Sequence, residues 1–266
     1  MRFVKFKLND NFFHNAIKSN SNLTGYNIQK SLKRGKMQSS QVQKPKAASK
    51  KSRAKKSEVE ELKQLFLQHF NKPKTELVFT NEFELLVAVM LSAQCTDKRV
   101  NLITPRLFEA YPTAEALSKA KLTHLKELIS SCSFFNNKAE NLQKMAQSVC
   151  ENFGGQIPLD QQALQSLAGV GQKTANVVLI EWCGANLMAV DTHVFRVSHR
   201  LGLSFAKTPK ECEAELTRLF KDRLNELHQA FVLFGRYTCK AVRPKCEECF
   251  ARRFCKAEFE AKKGLA

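Results

Sequence analysis

The stretch GVGQKTANVVLIEW, which begins at Gly169, predicts a tight turn followed by a helix with Lys173 in its first turn. An apolar stripe at helical spacing is formed by Ala175, Val178, Leu179 and Trp182. Lys173 projects roughly opposite, above Val177 and Ile180, so we expect a central helix with the lysine over a largely buried surface. Burial and the helix dipole both disfavour the ammonium form. A neutral amine here is a nucleophile toward a sugar or carbonyl carbon; a lysine that reaches a phosphate or solvent is the alternative.

A carboxylate follows in VDTHVFRVSHRLG, where Asp191 begins a predicted helix and is expected to cap its N-terminus. The helix that carries Lys173 rises about 15 Å as far as Cys183, at about 1.5 Å per residue. The connection from Gly184 to Asp191 spans up to about 26 Å at about 3.3 Å per residue, so it is long enough to return Asp191 to the lysine. The carboxylate would then act as a base or stabilise a developing sugar cation.

Two glycines flank Val170 in LAGVGQKTANVV, and a helix follows at once. Glycine permits positive φ, and the N–H groups of Gly169, Val170 and Gly171 at a helix N-terminus suit a phosphate without reading base sequence. An ordinary turn between two helices is the alternative for this G-x-G pattern.

Four of the nine cysteines lie close together near the C-terminus. The spacing C-x6-C-x2-C-x5-C is formed by Cys239, Cys246, Cys249 and Cys255. Four thiolates at such spacing indicate an intracellular metal or iron–sulfur site rather than a disulfide framework. Zinc sites usually show two CxxC pairs and only one is present, so the spacing modestly favours a [4Fe–4S] cluster over zinc. Lys240, Arg243 and Lys245 lie between the first two cysteines and give that loop a basic face suited to phosphate.

The net charge of +18 is unevenly distributed along the 266 residues. Residues 1–57 contain 15 of the 43 Lys and Arg residues and a single acid, Asp10. Such a basic arm suits a polyanion, most simply nucleic acid, and we expect residues 1–56 to be disordered. Residues 1–36 fit an organelle transit peptide or a segment upstream of a start at Met37. No apolar run fits a secretory signal or a membrane span.

From Ser57 onward the apolar spacing is that of helices, and no alternating strand pattern interrupts it. Ser57 and Glu60 predict a capping box for the first helix. The nearly all-apolar segment NEFELLVAVMLSAQ predicts a buried helix. Further helices are predicted in TAEALSKAKLTHLKELISSC, NKAENLQKMAQSVCENFGG, DTHVFRVSHRLG, PKECEAELTRLF and LNELHQAFVLFGRYTC. We therefore predict an all-α fold.

Taken together, these motifs resemble the endonuclease III family of DNA glycosylases. The matching segments are LLVAVMLSAQCTD, FFNNKAEN, LAGVGQKTANVVL, AVDTHVFR and the four-cysteine pattern. The resemblance implies a helix-hairpin-helix DNA glycosylase fold with DNA in a cleft between two domains. These are a six-helix barrel, here 75–185, and a discontinuous helical domain, here 57–74 and 186–266, that holds a [4Fe–4S] cluster. Ala168 departs from the proline that is commonest in this family's hairpin.

The same resemblance implies a bifunctional DNA glycosylase and AP lyase of base excision repair that acts on oxidised pyrimidines in double-stranded DNA. In this family the counterpart of Lys173 attacks the sugar C1′, expels the flipped-out base and forms a Schiff base, with the counterpart of Asp191 as the second catalytic residue. β-Elimination then cuts the strand 3′ to the abasic site. Gln94 and Phe134 match positions that fill the gap left by the flipped base, although Phe134 is larger than the usual residue and packing is the other reading for both.

Other functions share parts of this pattern. An adenine-mismatch glycosylase of the same fold lacks the catalytic lysine and has a further C-terminal domain, whereas this chain has Lys173 and ends 11 residues after Cys255. A thymine-mismatch glycosylase is not distinguished by these motifs. A DNA-binding or redox module without catalysis would use only the hairpin and the cysteines. We expect an intracellular monomer that binds DNA and no membrane.

Overall fold

The computed structural model describes residues 52–257, and every regular element in that range is helical. The α-helices are α1 (Lys56–His69), α2 (Glu82–Ser92), α3 (Asp97–Ala110), α4 (Ala114–Ser118), α5 (Leu122–Leu128), α6 (Phe135–Phe153), α7 (Gln161–Gln165), α8 (Gln172–Cys183), α9 (Thr192–Arg200), α10 (Pro209–Phe220) and α11 (Leu224–Tyr237), followed by a 3₁₀ helix (Arg252–Phe254). The prediction of an all-α fold is confirmed. The predicted transit peptide, the start at Met37 and most of the basic arm lie outside the described residues.

Polar side chains at the helix starts explain several of these boundaries. Asn81 accepts the N–H of Glu84 (2.9 Å) at the start of α2. Thr208 accepts the N–H of Glu211 (3.3 Å), and the Glu211 carboxylate accepts the N–H of Thr208 in return (3.1 Å), so α10 begins with a capping box. These bonds satisfy N–H groups that have no partner within the helix.

The first helix begins earlier than the sequence predicts. Lys55 precedes α1, and its N–H donates to the Glu58 carboxylate (2.8 Å), so the capping box predicted at Ser57 is wrong. The N–H of Ala54 donates to the carbonyl of Gly202 (2.9 Å), which holds this segment against the end of α9. Residues 53–56 are therefore part of the folded structure, although they were expected to belong to a disordered tail.

Buried apolar side chains form two separate clusters. One is built from α2 to α8, and its centre is α2, which is buried on all sides as predicted. The other combines α1 with α9, α10, α11 and the 3₁₀ helix. In this second cluster the ring of Phe66 on α1 meets the rings of Phe231 and Phe234 on α11 edge-on, at centroid distances of 4.6 and 5.1 Å. The first helix of the described chain thus packs with the last ones.

An ion-pair network connects the two clusters. Arg236 on α11 donates to the carboxylate of Asp97 on α3 (2.8 Å) and also to Glu76. Tyr237 donates its hydroxyl to the same Glu76. Within residues 52–257, no helix combines the length and apolar character needed to cross a bilayer.

Glu181, near the end of α8, is a charged residue in a poorly compensated environment. One carboxylate oxygen, Oε2, accepts the N–H of Thr75 (3.2 Å), whereas Oε1 is buried without a hydrogen-bond partner among the described residues. Burial raises the pKa of Glu181 to about 7, against the smaller opposing effects of the Thr75 N–H and of Lys74. The folded state therefore disfavours the ionised carboxylate.

This environment predicts a pH-dependent gain in stability from Glu181→Gln. Because the folded-state pKa lies above the unfolded value of 4.5, the folded protein binds the extra proton, and its stability falls as pH rises from 4.5 to about 7. The variant should have a free energy of unfolding about 1–3 kcal/mol higher than the wild-type protein at pH 8. The difference should shrink toward pH 5. Urea unfolding at both pH values measures it.

Glu109→Gln is the matched control, because Glu109 is an exposed acid on α3. It should show no such pH-dependent gain. An equal effect of the two substitutions would contradict the account given for Glu181.

Candidate active site and thiol cluster

The connection between α8 and α9 runs back along α8 toward Lys173. The N–H of Ala185 donates to the carbonyl of Leu179 (3.1 Å), and Nδ2 of Asn176 donates to the carbonyl of Met188 (3.0 Å). The second bond holds the connection against the middle of α8. The Asp191 carboxylate and the Lys173 ammonium both act on the pKa of the same buried side chain, His228, so the two residues lie in one region of the structure.

Asp191 caps α9, as the sequence predicts. Its Oδ1 accepts the N–H groups of His193 and Val194, each at 2.8 Å. Both bonds involve the same oxygen, and Oδ2 receives no hydrogen bond from the described residues. The half-buried carboxylate is thus held by one oxygen and has the other available.

A buried histidine lies within electrostatic range of both residues. His228 on α11 donates from Nδ1 to the carbonyl of Ala189 (2.8 Å), since a carbonyl can only accept. Burial lowers the pKa of His228 to about 4; the Asp191 carboxylate opposes this change and the Lys173 ammonium adds to it. A neutral imidazole therefore lies behind the candidate lysine–aspartate pair.

Lys173 itself is exposed, so the expectation that burial favours its neutral amine is wrong. Ala175 to Ile180 are buried on all sides of α8, but the first turn of the helix emerges from the core. Trp182 is also 38% exposed, so the predicted apolar stripe ends at Leu179. The central position of α8 is confirmed, whereas the burial of its two ends is not.

A polar network at the start of α8 was not predicted from the sequence. Glu213 on α10 accepts hydrogen bonds from the side-chain amides of Gln172 (2.7 Å) and Asn176 (3.1 Å) through the same oxygen. Burial raises the pKa of Glu213, and these two amide donors counteract part of that effect. The one available signal was Asn176, a polar residue within the otherwise apolar segment ANVVLI. The network connects α8 to the second cluster beside the candidate nucleophile.

The two hairpin glycines have different structural roles. Gly169 has a φ of +76°, and a Cβ atom there would lie 2.9 Å from Cβ of Asn141. Gly171 precedes α8 with a φ of −89°, and a Cβ atom there would meet nothing within 4 Å. Gly169 is therefore required by the fold, whereas Gly171 leaves open space over a helix N-terminus.

Val170 differs from the glycines on either side. Its side chain is buried, and its N–H donates to the carbonyl of Leu167 (3.1 Å). The N–H groups of Gly169 and Gly171 bond to no acceptor in the described chain. We expected all three backbone N–H groups to be available to a phosphate. This is wrong for Val170, because its N–H is already hydrogen-bonded within the turn.

Gln94 and Phe134 are both exposed and both have left-handed backbone conformations. Their φ angles are +54° and +58°, which non-glycine residues adopt at a cost of about 1–2 kcal/mol. The Phe134 side chain is 64% exposed, so it contributes to neither apolar cluster and the packing alternative fails for it. Lys138 on α6 donates to the carbonyls of Leu91 and Ala93, each at 2.7 Å, and so holds the two loops next to each other.

The four clustered cysteines line one cavity, together with Phe234 and Arg200. Arg200 donates from Nη1 to Sγ of Cys239 (3.3 Å). Burial raises the pKa of Cys249, and the three neighbouring thiols raise it further. Among the described residues, no three His, Cys, Asp or Glu side chains are arranged to hold a single metal ion. The predicted basic residues of the loop, Lys240, Arg243 and Lys245, are all exposed.

A family model, curated relatives and solved structures all place this chain in one family. Residues 87–222 match the family model of the HhH-GPD superfamily base excision DNA repair proteins. Endonuclease III of Bacillus subtilis is 44% identical over 199 residues, which are 74% of this chain and 91% of that protein. Endonuclease III of Rickettsia felis is 43% identical over 198 residues, 74% of this chain and 93% of that protein. The chain belongs to the endonuclease III family.

A solved structure of a trapped endonuclease III–DNA covalent intermediate supports this assignment at the level of the fold. It is 40% identical to the chain and superimposes with a TM-score of 0.73 over 76% of this chain and 95% of that one. The predicted helix-hairpin-helix DNA glycosylase fold is thereby confirmed. So is the predicted enzyme class, a DNA N-glycosylase with AP lyase activity.

The contrast between the glycines predicts two different defects. Gly169→Ala combines an unfavourable φ with a contact to Asn141, and should lower the free energy of unfolding by about 1–3 kcal/mol. Gly171→Ser retains a good N-cap residue in open space, so stability should change by less than about 0.5 kcal/mol. Its side chain would instead occupy the space over the helix N-terminus and weaken binding to double-stranded DNA several-fold. Urea unfolding and fluorescence anisotropy separate the two effects; unchanged DNA binding by Gly171→Ser would contradict this role of the hairpin.

Proposed function

We propose that the chain is a bifunctional DNA glycosylase and AP lyase that removes oxidised pyrimidines from double-stranded DNA, with Lys173 as the nucleophile and Asp191 as its carboxylate partner. The observation that carries this proposal is that Asp191 and Lys173 both act electrostatically on the buried His228, while the bond from Asn176 to the carbonyl of Met188 holds the α8–α9 connection against α8. A relative that has been trapped in a covalent intermediate with DNA is consistent with a lysine nucleophile. The exposure of Lys173 suits this role, because the amine has to reach a sugar in a bound duplex.

The reaction begins when the damaged nucleotide is flipped out of the duplex. The Lys173 amine loses a proton and attacks C1′ of the sugar, while the bond from C1′ to the base breaks and the base leaves with the bonding electrons and a proton. The available oxygen of Asp191 stabilises the positive charge that develops on the sugar. Opening of the sugar ring gives a Schiff base between Lys173 and C1′.

Strand cleavage follows from the Schiff base. Removal of a proton from C2′ expels the 3′-phosphate by β-elimination, and hydrolysis then releases Lys173. The N-terminal turn of α9 holds the aspartate through two backbone N–H groups, and the buried neutral His228 lies within its electrostatic range without entering the reaction. Both catalytic side chains thus lie at helix N-termini, where α8 and α9 begin.

Double-stranded DNA that contains damaged bases or abasic sites is the proposed partner. The amides of Gly169 and Gly171 bind a backbone phosphate, and the exposed Lys240, Arg243 and Lys245 bind another part of the backbone. Gln94 and Phe134 enter the gap that the flipped nucleotide leaves, because both are exposed on loops that Lys138 holds together. The loops of Gln94 and Phe134 therefore contact the bases, whereas the hairpin and the basic loop bind the phosphates.

We propose that the cysteine cavity holds a [4Fe–4S] cluster. Four cysteine thiolates are the ligand set of a [4Fe–4S] cluster, all four cysteines line one cavity, and their spacing with a single CxxC pair favours the cluster modestly over zinc. When bound, the cluster supplies four covalent links that hold the C-terminal loop on α9 and α11. Arg200 donates to Sγ of Cys239 at the edge of this cavity. The two apolar clusters are the basis for proposing a barrel domain, 75–185, and a cluster domain in which residues from about 53 join 186–266. We also propose that the protein acts as a monomer.

Lys173→Gln and Asp191→Asn should separate the two catalytic roles. The lysine variant should lose borohydride trapping and strand cleavage while its binding to abasic-site DNA stays within a few-fold, because the hairpin is intact. The asparagine variant keeps an oxygen that caps α9, so its melting temperature should change little, but its activity should fall by about 10²–10⁴-fold. Gel assays on duplexes with an oxidised pyrimidine or an abasic site measure both activities.

Lys144→Gln is the control, because it removes an exposed lysine of α6, and it should retain full activity. Normal trapping by Lys173→Gln would contradict the assignment.

The cluster proposal predicts the metal content of the protein. Protein purified without oxygen should contain about four iron atoms per chain, with no stoichiometric zinc, and absorb near roughly 400 nm. Cys249→Ser should lose iron, because it removes a ligand from the cavity, whereas Cys183→Ser at the exposed end of α8 should retain it. Colourless wild-type protein with one zinc ion per chain would contradict the proposal.

A further inference from the structure

Two cysteines outside the cluster lie against each other beside the loops that carry Gln94 and Phe134. Sγ of Cys95 is 3.7 Å from Sγ of Cys132, although 37 positions separate them in sequence. Cys95 directly follows Gln94, and Cys132 lies two residues before Phe134. The cysteine pair thus joins two loops whose exposed tips both have left-handed backbone conformations.

We propose that Cys95 and Cys132 form a redox modification site, in which a low-molecular-weight disulfide such as oxidised glutathione converts the two thiols into a disulfide that ties the two loops together. A disulfide bond is about 2.0 Å long, so the sulfurs need to approach by less than about 2 Å from their present separation. Neither cysteine belongs to the proposed iron–sulfur ligand set. The scattered position of these residues in the sequence gives no indication of such a pair.

The two thiols differ in accessibility, which sets the order of the reaction. Cys95 is half-buried, whereas Cys132 is buried. Burial and, to a smaller extent, the hydrogen bond with Cys95 raise the pKa of Cys132 to about 11, so little thiolate forms there at neutral pH. Cys95 therefore meets the oxidant first, and Cys132 reacts second.

Oxidised glutathione accepts the two electrons that the cysteines lose when they form the disulfide. The Cys95 thiolate attacks one sulfur of oxidised glutathione, which forms a mixed disulfide and releases one glutathione thiolate. Cys132 then loses its proton, its sulfur attacks Sγ of Cys95, and the second glutathione leaves as a thiolate that takes up a proton. The protein loses two electrons, the oxidant gains them, and the two cysteine protons pass to the two released glutathione thiols.

The consequence for catalysis rests on the proposed function, in which Gln94 and Phe134 enter the duplex. Lys138 already holds the loops through the carbonyls of Leu91 and Ala93. A covalent link would restrict them further and shift their tips. Since displacements of about 1 Å near reacting groups reduce rates strongly, oxidised protein should excise damaged bases about tenfold more slowly, and dithiothreitol should restore the rate.

Peptide mapping of the full-length holoprotein tests the disulfide without reference to activity. After treatment with oxidised glutathione and blocking of free thiols, trypsin should give peptide 75–98 linked to peptide 127–138, lighter by two hydrogens than the two reduced peptides together. Each of these peptides contains a single cysteine, so the link is unambiguous. Cys95→Ser and Cys132→Ala should each abolish the link and the reversible loss of excision, and both should retain the activity of the reduced wild-type protein.

Cys183 provides an internal control, because it is exposed and should form a mixed disulfide with glutathione under the same conditions. Glutathione on Cys183 without any link between peptides 75–98 and 127–138 would overturn the proposal. A complete link that leaves excision unchanged would overturn its effect on the loops. If reduced protein fails to excise damaged bases at all, the proposed function fails, and the peptide map still decides the disulfide.

Discussion

The hydrogen bonds of the buried Asn176 side chain connect three parts of the chain that are distant in sequence. Its amide donates to the carbonyl of Met188 and to the Glu213 carboxylate, and its oxygen accepts the amide of Gln161 (2.5 Å). These bonds hold the α8–α9 connection along α8 and attach α10 to the same helix. The bond to Met188 holds the segment that leads to Asp191 against the helix that carries Lys173.

In the candidate site, buried residues form the support and the two candidate catalytic side chains lie outside it. The core of α8 and the buried His228 provide a fixed frame, since their polar groups are satisfied by backbone carbonyls and side-chain amides. Lys173 is exposed in the first turn of α8, and Asp191 caps the start of α9 with an oxygen that no described residue hydrogen-bonds. A Cβ atom at Gly171, just before α8, would meet nothing within 4 Å.

The two loops proposed to contact the damaged nucleotide each carry an exposed residue with a left-handed backbone conformation. Gln94 and Phe134 both have positive φ, and each begins or precedes a segment that is anchored to the other loop. Stored strain of this kind persists only where surrounding contacts enforce it. The Lys138 ammonium supplies such contacts through the carbonyls of Leu91 and Ala93. The same contacts make the geometry of the two loops interdependent.

Local pattern was sufficient to predict most of the helices, the cap at Asp191 and the four-cysteine motif, because each depends on residues within a few positions of one another. The family followed from the combination of those motifs. Only the tertiary structure decided that Lys173 is exposed, that Val170 uses its amide inside the turn, and that Cys95 meets Cys132. Exposure and long-range contact depend on which elements pack together, and helical periodicity identifies an apolar face without specifying what covers it or where the cover ends.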